Sequence, residues 1–265
     1  MAASLKEILD ATHRRVETNL RAADEKELQA RAARHQPRGF RAALERAARS
    51  GPAIIAELKK ASPSKGKIRG TFPVARLALE LEQAGAAALS ILTEEEFFHG
   101  SLADLTEASA ATHLPCLRKD FILYESQLLE ARANCADAVL LIAAALSPGE
   151  LKRLAAAARA LALDVLCEIH EATELEAALA AGCDLIGVNS RDLRSFEVDA
   201  GLPLRLATQL PANVLRVAES GISSAGDIRP LARAGYQAFL IGESLMRAES
   251  PGGALRQMLA ELRAS

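Results

Sequence analysis

The sequence predicts a closed (β/α)8 barrel with an N-terminal helical extension. Short apolar runs recur at intervals of roughly 20–30 residues, each followed by a helical pattern, as in a parallel sheet whose strands are buried on both faces. There are eight such runs, and the 265-residue chain is of the usual size for an eight-stranded barrel, about 250 residues. No Gly-x-Gly-x-x-Gly turn follows the first run, which weighs against a doubly wound open sheet.

The first 50 residues are helical in character. Ser4 and Glu7 form a capping-box pattern, and Leu5, Ile8, Leu9 and Val16 supply an apolar stripe. Charges of both signs alternate from Arg21 to Arg34, as on a solvated helix face, and Phe40 to Ala48 forms a further helix before Gly51-Pro52. The apolar runs are Ala53–Leu58, Ala87–Leu92, Cys116–Leu117, Ala138–Ile142, Val165–Ile169, Leu185–Val188, Leu215–Ala218 and Ala238–Ile241. Between them, Ser147, Pro148 and Glu150 form a helix start, and Gly85, Gly182 and Gly235 sit where a left-handed helix end is needed. The expected organisation is one domain over 1–265, of which 1–50 is the extension.

Composition excludes several classes. A net charge of −2 leaves no excess of basic residues for nucleic acid or an anionic membrane. The N-terminal stretch lacks the apolar core of a signal peptide, and no run of about 20 apolar residues follows. Cys116, Cys135, Cys167 and Cys183 are scattered without a Cys-x-x-Cys pair, as expected for reduced thiols in a cytoplasmic protein. The five histidines lack ligand spacing, so no metal is expected.

In such a barrel the working end is the C-terminal rim of the strands. The first run ends in Glu57 and Lys59, the third leads to Lys119 and Asp120, and the fifth ends in Glu168. The sixth leads to Asn189, Ser190 and Arg191, and the seventh to Glu219, Ser220 and Gly221. Strand alternation puts Ile55, Glu57 and Lys59 on one face and Ile54, Ala56 and Leu58 on the other. With the second set under the helices, Glu57 and Lys59 enter the barrel mouth, while Lys60 faces the helix side and is mostly solvated. Leu166 and Glu168 share a face, as do Leu215, Val217 and Glu219. A set of inward carboxylates and lysines is costly unless each finds a partner, which points to chemistry at this rim. Ser220-Gly221 after the seventh run and Gly242 after the eighth occupy the usual phosphate slots of this barrel, where backbone N–H groups meet the anion.

The stretches "PAIIAELKKASPSKG", "LSILTEEEFFHGSL", "CLRKDFILYESQ", "LCEIH", "IGVNSRDL", "RVAESGI" and "FLIGESLM" resemble, in order, the indole-3-glycerol phosphate synthases, from about Gly51 to Met246. The N-terminal helices resemble the extension of that family. The resemblance implies conversion of 1-(2-carboxyphenylamino)-1-deoxyribulose 5-phosphate to indole-3-glycerol phosphate, with loss of CO2 and water and without a cofactor. It implies Lys119 as the general acid of condensation, its pKa brought towards working pH by an apolar barrel and neighbouring cations. Lys59 would bind the anionic substrate and serve as an acid in dehydration, with the division between the lysines left open. Glu168 would be the general base, and Glu57 and Glu219 would orient lysines and substrate. Asn189 and Arg191 would contact the sugar hydroxyl or the carboxylate, and Ser62, Ser220, Gly221 and Gly242 the substrate or its phosphate. Phe98 and Phe121 would enclose the anthranilate ring, with Leu140 or Leu141, Val188 and Leu193 completing an apolar wall. Some members have Ser where Glu243 stands here, so only the Glu243 backbone N–H is expected to meet phosphate. The Ser62–Thr71 loop has the composition of a lid. The expected partner is a small phosphorylated molecule, with neither nucleic acid nor membrane, and the chain is expected to be a monomer or weak homodimer.

Overall fold

The structure, a computed structural model, describes residues 4–22, 24–192 and 195–264. Eight parallel strands close into a barrel: β1 (Ala53–Leu58), β2 (Ala88–Leu92), β3 (Cys116–Lys119), β4 (Ala138–Ile142), β5 (Asp164–Ile169), β6 (Leu185–Asn189), β7 (Leu215–Glu219) and β8 (Ala238–Ile241). Sequence neighbours pair throughout, and β8 returns to β1 with Ala53 opposite Ala238. Closure leaves this sheet without an exposed edge.

Alternation divides the apolar residues into two cores. Ile54, Ala56 and Leu58 join Leu77, Leu81 and Ile91 between the barrel wall and the surrounding helices. Ile55, Leu117, Leu140, Leu166, Val217 and Leu240 fill the barrel interior, with Phe40 and Leu44. Both faces of the strands are therefore covered, which is why these segments read as near-continuous apolar runs. Several strands run one or two residues past the apolar runs, because their last residues are the polar ones of the rim. β3 shows this most clearly: Arg118 points to the helix side, 1% exposed, and is accepted by Asp120, Glu130 and the Gln127 carbonyl.

Three helices precede the barrel: α1 (Leu5–Ala22), α2 (Glu25–Arg34) and α3 (Phe40–Ala48). The Ser4–Glu7 capping box starts α1, with the Ser4 N–H donating to Glu7 at 2.7 Å. Arg15 on α1 reaches the rim, donating to both Asp120 oxygens at 2.9 and 3.0 Å, and so holds the residue next to Lys119. At the opposite end Asp137, fully buried just before β4, receives His35, the N–H and guanidinium of Arg38, and the Cys116 N–H. That one carboxylate ties the extension to the barrel floor. Gly85, Gly182 and Gly235 end their helices at φ of 99°, 74° and 97°, conformations that Cβ disfavours.

Two expectations need correction. The segment after β1 is not a plain loop: Ala61–Ser62 and Gly66–Lys67 form a short antiparallel hairpin. Its exit is fixed by Arg69, which donates to the carbonyls of Met246 and Ala248 at 3.0 and 2.8 Å. Lys60 does face away from the mouth, but it is half-buried, its Nζ 5.4 Å from the Phe72 ring centroid. Among the described residues no helix is long and apolar enough to cross a membrane, and the four cysteines are free.

Burial opposes ionisation of Asp137, but His35 and Arg38 outweigh it and hold its pKa below the usual carboxylate value. The stabilisation is complete above the unfolded pKa, about 3.9, and is lost as pH falls through the lower folded value. Asp137→Ala leaves Arg38 without its counter-charge, although Ser109 and Thr112 still accept from it, and the buried Cys116 N–H unpaired, and is expected to cost about 3–5 kcal/mol in urea melts at neutral pH. The deficit should shrink in acid; a cost below about 1 kcal/mol at pH 7 would contradict this account.

Candidate active site

At the C-terminal rim the inward side chains surround a cleft of roughly 1000 Å³ counted out to its open mouth. Every catalytic and substrate-binding residue named from the sequence lines it apart from part of the apolar wall, from Glu57 on β1 and Lys59 just after it to Gly242 and Glu243 after β8. Its centre is Lys119. The ammonium donates to Glu168 Oε2 at 2.6 Å and to Glu219 Oε2 at 3.0 Å, with both carboxylates 1% exposed. Lys59 forms a second pair with Glu57 Oε1 at 2.6 Å.

The electrostatics of Lys119 differ from the sequence expectation. Burial lowers its pKa, but Glu168, Glu219 and Glu57 more than reverse that and raise it. Carboxylates, not cations, are its neighbours, so the lysine is held as ammonium. The two glutamates are driven apart. Burial raises both, yet Lys119, His170 and an Asn189 hydrogen bond pull Glu168 below the ordinary range. Glu219 is raised instead, by burial and by the adjoining Glu168, despite Lys119. The shifts pull the two carboxylates that flank the ammonium in opposite directions, Glu168 towards its ionised form and Glu219 towards its neutral one.

The packing around this cluster explains two glycines. A Cβ at Gly187 would land on Glu219 Oε1, and one at Gly242 on Glu57 Oε1. Asn189 stands opposite Glu219 in the sheet, and its Oδ1 accepts the Arg191 N–H at 3.0 Å. The Arg191 guanidinium is held by the Phe196 carbonyl at 2.9 Å, and Glu243 Oε2 lies 3.9 Å away. Glu243 also accepts from Arg247 at 3.0 Å, so its carboxylate is occupied by arginines on both sides.

Opposite the charges the cleft is apolar. Phe98 and Phe121 meet with ring centroids 6.4 Å apart, tilted by 42°. The backbone bearing Phe98 is shaped by the buried Glu94 carboxylate, which accepts the N–H groups of Glu96, Phe97 and Phe98. Leu140 lines the cleft, whereas Leu141 packs under the helices. Val188 was expected in the wall and is not there: alternation turns it outward with Ile186, while Gly187 and Asn189 face in. Leu193 lies outside the described residues. Sequence reasoning missed Phe196 and Ile142. Ile142 could have been found as the inward partner of Leu140, two residues on; Phe196 sits in a loop at φ 59° with no periodicity to reveal it.

The two expected phosphate slots both lie on the cleft. Ser220 and Gly221 follow β7 with successive φ of 66° and 72° and line the cleft. Gly242 leads into a short helix, Glu243–Arg247, whose first N–H groups have no intrahelical acceptor. The helix after β7 begins at Ala225, with Ser224 at its N-cap. Ser62, on the hairpin over the mouth, has a buried hydroxyl without a partner. No group of three or more His, Cys, Asp or Glu among the described residues is arranged to hold a metal ion.

The model of one family, indole-3-glycerol phosphate synthase, matches residues 5–258. The chain belongs to this family. An indole-3-glycerol phosphate synthase of Koribacter versatilis is 56% identical over 259 residues, covering 98% of this chain and all of its own. One from Bordetella pertussis is 46% identical, covering 98% of this chain and 97% of its own. Among solved structures, the KGPDC of Streptococcus mutans superposes with a TM-score of 0.62 over 80% of this chain and 98% of its own. At 12% identity, that likeness shows the barrel alone.

The Gly187 geometry has a measurable consequence. Gly187→Ala must move the Glu219 carboxylate, whose other oxygen accepts from Lys119, and a shift of about 1 Å in such a cluster costs on the order of 10²-fold in rate. A folded Gly187→Ala protein, by circular dichroism, is expected to lose about that much kcat. Turnover within twofold of wild type would mean Glu219 has another place to go.

Proposed function

We propose that this chain closes the indole ring of 1-(2-carboxyphenylamino)-1-deoxyribulose 5-phosphate by general acid–base catalysis at the Lys119 cluster. The observation that carries the reading is a buried ammonium, between Glu168 and Glu219, facing an apolar cleft at the strand ends. Phe98, Phe121 and Leu140 receive the anthranilate ring, and the N–H groups after β7 and β8 receive the phosphate. Lys59 and Arg191 meet the remaining negative charge.

In the first step the ring carbon bearing the carboxylate attacks the ketone carbon, and Lys119 gives a proton to the ketone oxygen. A raised lysine pKa suits this task. The donor is charged until the oxyanion develops, so it stabilises the transition state more than the neutral ketone. Carbon dioxide then leaves and the ring regains its aromatic electrons. In the second step an acid, assigned to Lys59, protonates the new hydroxyl, which departs as water. Glu168, held ionised, removes the C–H proton that completes the pyrrole double bond. Glu219, held neutral, leaves Lys119 with one close counter-charge rather than two.

Charge supports the assignment. With Glu219 protonated, Lys59, Lys119 and Arg191 outnumber Glu57 and Glu168, while Glu243 is occupied by Arg247 and Asp120 by Arg15 and Arg118. A cleft with surplus positive charge suits a substrate bearing both carboxylate and phosphate. Four free cysteines fit a reduced cytoplasmic setting, and we assign the chain no nucleic-acid partner and a monomeric or weakly dimeric state.

The assay is indole fluorescence on the synthetic carboxyphenylamino-deoxyribulose phosphate. Lys119→Ala is expected to remain folded and lose at least about 10²-fold in kcat; near wild-type turnover would refute its role. The two glutamates should also separate. Glu219→Gln mimics the protonated state and is expected to lose about tenfold or less, whereas Glu168→Gln removes the base and loses about 10²-fold or more. The reverse order would overturn the assignment.

A further inference from the structure

Phe98 and Phe121 face each other across the cleft, and each is seated by a buried carboxylate from its own loop. After β3, Asp120 Oδ1 accepts the Phe121 N–H at 2.8 Å. After β2, Glu94 Oε1 accepts the Glu96 N–H at 3.0 Å, and Oε2 accepts those of Phe97 and Phe98 at 2.8 and 3.0 Å. The two seats are joined by Thr93. Its hydroxyl donates to Asp120 Oδ2 at 2.8 Å, and its N–H donates to the Lys119 carbonyl at 3.1 Å.

Packing alone does not explain Glu94. It is 3% exposed, and an apolar side chain would fill that space without the cost of burying a carboxylate. What the carboxylate adds is direction. Three successive N–H groups turned onto one side chain fix the backbone path through residues 96–98. The loop is closed behind them, where the Gly100 N–H donates to the Glu94 carbonyl at 2.8 Å. Gly100 lies so close to β2 that a Cβ there would run into the Leu92 backbone. Between these fixed points stand two adjacent phenylalanines, and Phe98, not Phe97, lines the cleft. Both are the same residue type, so the path of the loop decides which ring enters. Glu94 does not line the cleft itself.

We propose that Glu94 is a positioning residue for the aromatic end of the substrate. Through the Phe98 backbone it sets the gap between Phe98 and Phe121, and with it the affinity for an anthranilate ring. Contacts to that ring are alike in the ground state and the transition state, so Glu94 acts on binding and not on the proton transfers at Lys119. The phosphate slots stand on other strands, after β7 and β8, and do not depend on it. The proposal rests on the reading of Phe98 and Phe121 as the wall that receives the ring.

The test uses Glu94→Gln in the full chain, with folding followed by circular dichroism. Glutamine has the same shape but turns an amide N–H2 towards backbone donors, which opens the seat. Two fragments probe the two ends of the cleft: anthranilate, its binding read from its own fluorescence, and inorganic phosphate, read as a competitive inhibitor. KM and the anthranilate Kd are expected to rise about tenfold, with kcat changed by less than about threefold and phosphate inhibition by less than about twofold. Glu94→Asp keeps the buried charge one methylene short of the N–H groups, and is expected to weaken anthranilate binding in the same direction if Glu94→Gln does not fold. In a Phe98→Ala background, Glu94→Gln is expected to shift the anthranilate Kd by less than about twofold, because no ring is left to place. An anthranilate Kd close to wild type in the folded Glu94 variants would overturn the proposal. So would an equal loss of phosphate affinity, or an undiminished effect in Phe98→Ala. Failure of the functional reading looks different: the wild type then closes no indole ring, and the anthranilate titration still decides the role of Glu94.

Discussion

One buried ammonium shared by two buried carboxylates organises the whole upper half of this barrel. A lone Lys119 at that depth would lose its proton, and a lone Glu168 would gain one. Together they stay charged, but only while their atoms remain in contact, so the surroundings are built to hold them. The residue after Lys119 is clamped by Arg15 and Arg118, the first of which comes from the N-terminal extension. Glu219 has space because residue 187 has no side chain, and Glu168 is bonded from the side by Asn189. The extension is therefore tied to the chemistry by a chain of ion pairs, although none of its described residues lines the cleft.

Much of this was legible before the structure, because a parallel strand with two buried faces is written as an apolar run and its polar end as a break in that run. β1, β4 and β8 coincide with their runs. β3 does not: its two apolar residues are followed by Arg118 and Lys119, and nothing local distinguishes strand residues paired at distance from the start of a loop. The same alternation that placed Glu57 and Lys59 correctly should have placed Val188 outside, since the adjacent Asn189 was expected to contact the substrate. Phe196 and the Ser62 hairpin were beyond reach, because loop geometry depends on contacts rather than on period.

The acid–base properties were the least legible part. Residue types at the rim name the actors, but the direction of each shift depends on which charge stands nearest. An apolar barrel alone would have made Lys119 a weaker base, as the sequence suggested. Three carboxylates within the same mouth reverse the sign. The reversal changes the meaning of the site: the lysine is a charged donor waiting for an oxyanion, and one glutamate is kept neutral beside it. Such a division between two carboxylates assigns acid and base roles more firmly than either residue type could.

The two ends of the barrel treat buried charge in opposite ways, and the difference separates stability from function. At the floor, Asp137 is surrounded by donors from the extension, from β3 and from the turn before α3, so the pair costs little and locks the parts together. At the mouth, polar atoms remain unpaired: the Ser62 hydroxyl and one oxygen of Glu219. An unsatisfied buried group costs on the order of 1–3 kcal/mol, and a fold selected for stability alone would remove it. Atoms left unpaired beside a cleft are available to substrate. The excess stability of the floor is what allows the mouth to remain incomplete until a ligand fills it.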